Sequence, residues 1–228
     1  MPHIVKILNI EQLTHDVKKI TLTKPDGYKF TSGQATEVSL NKKGWKSKKR
    51  PFTFTSLPSE DFLEFIIKIY PFNNGVTKKL NTLVSGDSLL INEPWGTIEY
   101  KGSGVFIAGG AGITPFISIF RKLYLDKKLN GSTLLFANKS EDDIILRKEL
   151  EIMLGYRFRN VITESEHEIY ANPLLTYLKG YINEEYLQRN IEHVRQNFYV
   201  CGPPAFNDSI IAMLEKLGAN ANSLIFEE

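Results

Sequence analysis

Four short stretches of the chain combine residue types and spacings that suit a flat, anionic ligand. The run GGAGITP, Gly109 to Pro115, follows an apolar stretch and opens what reads as a helix. Gly110 and Gly112 permit a sharp turn and a close backbone approach. Thr114 is placed to cap the helix, and Pro115 suits its first turn. Free backbone N–H groups at such a turn make an anion site fit for a pyrophosphate. A tight strand–helix turn with no ligand would use the same residues. CGPPAF, Cys201 to Phe206, repeats the arrangement with a cysteine at the strand tip. Alone, Cys201 reads as a buried core thiol more readily than as a functional one. In NNGVTKKL, the residues Gly75, Val76 and Thr77 start a short helix, as an ordinary glycine turn or as a further phosphate site. Arg50 could bring a planar, permanently charged fork to the same phosphates. It opens RPFTFTSLP, where Phe52, Thr53, Phe54 and Thr55 alternate as in a β-strand. That strand is either a barrel strand with a solvated arginine or a platform for a flat cofactor.

The elements that must position these residues fall into two rhythms. The first hundred residues hold HIVKILNI, VKKITLTK, ATEVSL, RPFTFTSL, FLEFIIKIY and SLLINEPWG, short β-branched or aromatic runs separated by turn residues. Six such strands predict a small antiparallel β-barrel. One helical stretch, GVTKKLNTL, interrupts them, with Val76, Leu80 and Leu83 at helical spacing. After about Gly102 the pattern alternates. GVFIAG reads as a strand buried on both faces, followed by the helix PFISIFRKLYLD, the strand STLLFAN, the helix SEDDIILRKELEIML and the strand NVITES. A short helix at NEEYLQRN leads to the strand NFYVCG, the helix PAFNDSIIAMLEKL closed by Gly218, and the strand SLIFEE. Alternating strand and helix imply a parallel sheet with helices on both faces. The organisation predicted is a β-barrel over residues 1–101 and an α/β nucleotide-binding domain over residues 102–228. Both glycine turns then fall at the carboxyl edge of that sheet, where ligands bind, and together they favour one shared dinucleotide site.

Composition narrows the classes. The 228 residues are 42% hydrophobic and 24% charged, with net charge +2, a balance that argues against a general nucleic-acid binder. One cysteine, Cys201, leaves no disulfide framework and no cysteine cluster for an iron–sulfur centre or structural zinc. The histidines at His3, His15, His167 and His193 are too scattered to suggest a metal site. No run reaches the roughly 18 apolar residues that span a membrane, and the N-terminus carries no cleavage signature. The expectation is a cytoplasmic protein without metal.

The motifs taken together resemble the ferredoxin–NADP reductase superfamily. Arg50-Pro51-Phe52-Thr53 resembles its flavin motif, FTSGQ at Phe30–Gln34 its usual strand entry, and IIKIY at Ile66–Tyr70 the strand lining the flavin. Gly75-Val76-Thr77 resembles the helix start at the flavin pyrophosphate, and GAGITP and CGPP the two nicotinamide-dinucleotide motifs. FANKSEDDIILRKELE and GYINEE look closest to the NADH-dependent cytochrome reductase branch and to bacterial flavodoxin reductases. The order matches from about Phe30 to Pro204.

That resemblance implies FAD on the barrel and NADH or NADPH on the α/β domain. Phe52 would pack on the isoalloxazine, Thr53 would face the hydride-accepting nitrogen, and Arg50 would hold phosphates. Ile66, Lys68 and Tyr70 would flank the flavin. Gly110, Gly112, Ile113, Thr114, Pro115, Cys201, Gly202 and Pro203 would hold the dinucleotide, with Thr114 and Cys201 approaching the nicotinamide where hydride leaves and Thr53 and Cys201 as the catalytic residues. Asn138 and Ser140 mark where a 2′-phosphate would be read; the segment has one lysine, Lys139, and no arginine, which leans towards NADH. FAD is favoured over FMN by the pyrophosphate motif at Gly75–Thr77. The chain departs from the family in carrying Phe52 for the usual tyrosine. It also ends Phe226-Glu227-Glu228, where many relatives place a flavin-covering aromatic. The implied partner is a soluble carrier: flavodoxin, ferredoxin or an oxygenase component. The run NKKGWKSKKR, Asn41 to Arg50, reads as a solvated hairpin tip or as a docking patch for an acidic carrier. Two other classes stay open: an electron-transfer or regulatory subunit without turnover, and a cofactor-free interaction protein.

Overall fold

A computed structural model describes residues 1–72, 75–96, 98–164 and 176–226, and the side chains of 176–178 are left aside. Asn73, Asn74, His167, Glu227 and Glu228, named above, lie outside the described residues. The chain forms two compact units: Met1–Gly96 with Thr114–Ile119, and Thr97–Ile113 with Phe120–Glu228.

The first unit contains β1 (His3–Thr14), β2 (Val17–Thr23), β3 (Ala35–Leu40), β4 (Arg50–Thr53), β5 (Phe62–Lys68) and β6 (Ser88–Ile91), with α1 (Val76–Leu80) between the last two. The strands pair antiparallel in the order β4-β3-β6-β1-β2-β5. A bridge between Phe54 and Phe65 joins the two edges and closes the barrel. Alternation does the sorting. Leu63, Phe65 and Ile67 of β5 point inwards with Val5, Ile20, Val38, Phe54 and Leu89, while Glu64, Ile66 and Lys68 point outwards. Inside, Phe54 stacks on Phe30 at 4.3 Å and lies 5.2 Å from Phe65. Two elements are shorter than the sequence predicts. The strand RPFTFTSL keeps its β3 ladder only to Thr53, because the chain then crosses to β5. The helix GVTKKLNTL ends at Leu80, and Leu83 reaches the core from the following turn.

The second unit contains β7 (Gly104–Gly109), α2 (Thr114–Leu125), β8 (Thr133–Asn138), α3 (Arg147–Leu154), β9 (Phe158–Ile162), β10 (Thr176–Lys179), α4 (Glu184–Asn190), β11 (Asn197–Cys201), α5 (Pro204–Lys216) and β12 (Leu224–Phe226). The strands run parallel in the order β10-β9-β8-β7-β11-β12. Ile107, Leu135, Val161 and Val200 pack with Leu187 of α4 and with Ile210 and Leu214 of α5. On the opposite face Phe106 meets Phe120 of α2, and Arg121 of α2 pairs with Glu149 of α3 at 2.5 Å. Helices therefore cover both faces, as right-handed crossovers in two directions require.

The stretch SEDDIILRKELEIML is not one helix. Ser140 and Asp143 close a reciprocal capping box on a 3₁₀ turn, Glu141–Asp143. The buried Ile144 and Ile145 then run out of helix, and Leu146 takes a left-handed φ of 52° before α3 begins. Strand β10 is an addition to the elements read from the sequence.

Tyr199 anchors the start of β7. Its ring stacks on Phe106 at 4.1 Å, and its hydroxyl donates to the Gly102 carbonyl and accepts from the Lys101 N–H, both at 2.8 Å. Burial pushes its pKa from 10.0 to about 12. Tyr28 and Tyr186 are also raised to about 12, again chiefly by burial. A phenol with a raised folded-state pKa binds its proton more tightly when folded. Its contribution is complete below pH 10 and is lost as pH rises through about 12. Stability measured by urea unfolding is therefore expected to fall steeply across that window. Tyr199→Phe flattens the slope there and, by removing two hydrogen bonds, costs about 1–3 kcal/mol at neutral pH.

Candidate functional site

In the α/β unit the chain leaves β7 towards β8 and leaves β11 towards β12, in opposite directions across the sheet. The carboxyl ends of these neighbours frame the kind of crevice in which open α/β sheets bind ligands. Ala108 pairs with Cys201 in the ladder, so the two turns that follow start level. They also touch. A Cβ on Gly112 would lie 2.2 Å from the Cys201 carbonyl oxygen and 2.5 Å from its carbon. Only glycine fits there. Gly109 and Gly202 both abut the Phe206 ring of α5, where an added Cβ would come within 3.2 Å and 2.5 Å. Gly110 supplies a left-handed turn at φ 53°.

The helix openings lack side-chain caps. Thr114 is not the cap the sequence predicts: Gly110–Ile113 already winds as a 3₁₀ turn, so the cap position falls on Ile113 and Thr114 lies in the first turn. Pro115 occupies the first turn of α2, and α5 starts behind Pro203 with Pro204 at its head. Neither cap residue, Ile113 or Pro203, makes a side-chain capping bond. At the head of α5 the Phe206 and Asn207 N–H groups turn back to the Pro203 carbonyl, so an anion there would meet the N–H groups ahead of them. Ile113 and Cys201 are buried, so their side chains shape the crevice from beneath.

At the carboxyl end of β8, Asn138 is buried, and among the described residues neither its amide nitrogen nor its oxygen has a hydrogen-bond partner. A buried amide left this way costs about 1–3 kcal/mol per group, which a hydroxyl-rich ligand would recover. Ser140 is less available than the sequence suggests, because its hydroxyl donates to Asp143 at 2.7 Å. Lys139 lies 3.8 Å from Glu164.

On the barrel, the Phe54–Phe65 bridge sets Thr53 opposite Ile66, both outward and both buried. Lys68 follows on the same face and pairs with Asp16 at 2.9 Å, and Tyr70 beyond it is exposed. Phe52 is half-buried against the barrel core, its ring 6.3 Å from Phe65. Arg50 and Pro51 are exposed at the head of β4, and among the described residues the guanidinium makes one hydrogen bond, to the Lys49 carbonyl. Gly75 leads α1 with no side-chain cap and open space around it. The Val76 side chain belongs to the core, leaving its N–H for any ligand, while Thr77 is half-exposed. The reading from sequence missed Glu64, a buried acid on the outward face of β5, and the Phe206 wedge. The charge inside FLEFIIKIY was the available signal for the first.

These residues fit a dinucleotide on the α/β unit, by the glycine cradle, the uncapped helix starts and the orphaned Asn138. They fit an anionic flavin on the barrel, by the unused donors of Arg50 and the outward row Thr53–Ile66.

Comparison with known proteins agrees. A family model described as FAD-binding domain matches residues 3–125, and one described as oxidoreductase NAD-binding domain matches residues 106–211. NADH-cytochrome b5 reductase 2 of Emericella nidulans is 30% identical, over 90% of this chain and 67% of its own length. The protein of the same name from Botryotinia fuckeliana is 29% identical, over 90% and 63%. Human cytochrome b5 reductase 4 is 27% identical, over 96% and 46%, so the chain spans about two thirds or less of these relatives. Among solved structures, the CS-b5R domains of human Ncb5or superpose with a TM-score of 0.85 at 24% identity, covering 100% of this chain and 70% of that one. A ferredoxin NADP+ reductase from Neisseria gonorrhoeae with bound FAD and NADP gives 0.84 at 19%, covering 99% and 98%. These two establish the shared fold.

The glycine contact gives a direct test. Gly112→Ala is expected to lower stability by about 1–3 kcal/mol through overpacking. It should weaken NADH binding about tenfold or more by parting the two turns, with FAD content unchanged. Calorimetric titration and thermal unfolding check both.

Proposed function

The chain belongs to the FAD-binding domain family of the ferredoxin–NADP reductase superfamily, and from that premise we propose that it is a reductase taking hydride from NADH and passing single electrons to a separate carrier. The observation that carries this reading is the pair of uncapped, glycine-lined turns locked together at the β7–β11 crevice. When bound, the cofactors supply the redox chemistry: hydride passes from the nicotinamide to the flavin, and electrons then leave one at a time.

The protein's part is position. Residues 1–101 hold FAD in this reading, and residues 102–228 hold the nicotinamide dinucleotide. The N–H groups at Gly110–Thr114 and behind Pro203 grip the pyrophosphate, and Asn138 bonds the ribose. Cys201 shapes the floor under the nicotinamide. Arg50 and the N–H groups at Gly75–Thr77 hold the flavin phosphates, and Phe52, Ile66, Lys68 and Tyr70 bound the ring. Thr53 presents its hydroxyl and backbone to the edge that accepts hydride. No acid–base pair is required.

NADH is favoured over NADPH by charge. Glu141, Asp142 and Asp143 follow β8 after two residues, Lys139 faces Glu164, and the Arg147 guanidinium is already paired with Glu141 and Glu151. A 2′-phosphate placed there meets carboxylates, and the cations beside them are engaged by acids.

The carrier is acidic. In the loop between β3 and β4, Lys42 and Lys49 pair with Asp87 and Glu37, while Lys43, Lys46 and Lys48 are exposed and Lys48 lies over Trp45 at 4.4 Å. Such a cluster beside the flavin strand steers an anionic partner. The likeness to fungal and human cytochrome b5 reductases makes a protein of the cytochrome b5 type one member of that class, alongside flavodoxin and ferredoxin.

Two experiments test this. Under anaerobic conditions NADH should bleach the absorbance of the bound flavin, with kcat/KM about tenfold or more above that for NADPH, a difference of about 1.4 kcal/mol. A flavin that neither nucleotide bleaches would contradict the reading and leave an electron-transfer subunit without turnover. Raising ionic strength from about 0.05 to about 0.5 M should slow reduction of an acidic carrier several-fold, with flavin bleaching by NADH little changed. A carrier rate that does not respond to salt would remove the docking patch.

A further inference from the structure

We propose that Glu64 is a positioning residue for the reaction, acting through Thr55 on Thr53; the proposal rests on the flavin reductase reading above. Thr53 sits where β4 changes partner. It is the last β4 residue on the β3 ladder, opposite Ala35. The Phe54 N–H still reaches the Gln34 carbonyl at 3.0 Å, and the Thr55 N–H already bonds the Glu64 carbonyl at 2.9 Å. Between these two bonds the chain has no repeating ladder to hold it.

Glu64 grips the far side of this crossing. Its Oε1 accepts from the Thr55 hydroxyl at 2.8 Å, its carbonyl is 3.2 Å from the same hydroxyl, and its N–H donates to Ser56 Oγ at 3.0 Å. Thr55 and Ser56 are fully buried, and Glu64 is 6% exposed. The backbone bond to Thr55 would form with any residue on β5. The side-chain bond needs an oxygen at the end of a long side chain. A buried carboxyl on an apolar strand is expensive to desolvate, so its presence in FLEFIIK calls for a task. Thr55 faces Glu64 as Thr53 faces Ile66, one repeat apart on the same outward row. A shift of Thr55 is carried to Thr53 through one intervening residue, and misplacement by about 1 Å at a reacting centre can cost about 10²-fold in rate.

The test compares Glu64→Leu, Glu64→Gln and Thr55→Val with the wild-type chain carrying FAD. Glu64→Leu should slow single-turnover bleaching of the flavin by NADH about tenfold or more, with KM for NADH within about twofold. Glu64→Gln keeps an oxygen for Thr55 and should stay within about threefold of wild type, and Thr55→Val should behave like Glu64→Leu. Amide exchange at Thr55 should quicken about tenfold in the Leu and Val variants and not in Gln. If Glu64→Leu does not fold, Thr55→Val carries the same comparison. Wild-type rates in Glu64→Leu, equal losses in Glu64→Leu and Glu64→Gln, or a change confined to KM would each overturn the proposal. If NADH fails to bleach the wild-type flavin, the functional reading falls, and the exchange pattern still decides whether Glu64 clamps the crossing.

Discussion

A backbone carbonyl pressed against a residue with no side chain sets the geometry of the α/β unit. At Gly112 the turn after β7 lies so close to the Cys201 carbonyl that a single added carbon would sit 2.2 Å from the oxygen. Parallel pairing brings the strand ends level, and the glycine allows the turns to close over them. With that contact made, the turns that follow β7 and β11 are fixed together at one edge of the sheet. Phe206 secures the arrangement from the α5 side by resting on Gly109 and Gly202.

The barrel solves a different problem. A strand that changes partner must end one ladder and start another while its residues are held still. β4 does so by leaving β3 at Thr53 and attaching to β5 through Phe54, Thr55 and Ser56. Inward aromatic packing of Phe30, Phe54 and Phe65 holds the core side, and hydrogen bonds to Glu64 hold the outer side. The apolar contacts are insensitive to small rotations, whereas the hydrogen bonds fix direction.

Much of this was legible in the chain because periodicity reports burial. All six barrel strands and the βα alternation follow from alternating or continuous apolar runs, and both glycine turns were marked by residues with few other uses. The misses have particular causes. Thr114 looks like a cap in sequence, but the 3₁₀ turn ahead of it moves the helix start. SEDDIILRKELEIML has helical composition throughout, yet the capping box and the pull of Ile144 and Ile145 into the core break it. Ser140 was visible as a polar residue after β8, while its engagement with Asp143 depends on the turn. Glu64 was visible as a charge in an apolar strand, but its partners depend on where β4 crosses to β5, a register that no local pattern encodes.

In the proposed reading, the protein positions a nicotinamide for direct hydride transfer to its flavin. The most direct measurement is single-turnover reduction with NADH deuterated at the transferred position. A primary isotope effect on flavin bleaching, with the label lost from the nicotinamide, is the predicted result. Bleaching at an unchanged rate, with the label retained in the recovered nucleotide, would contradict it.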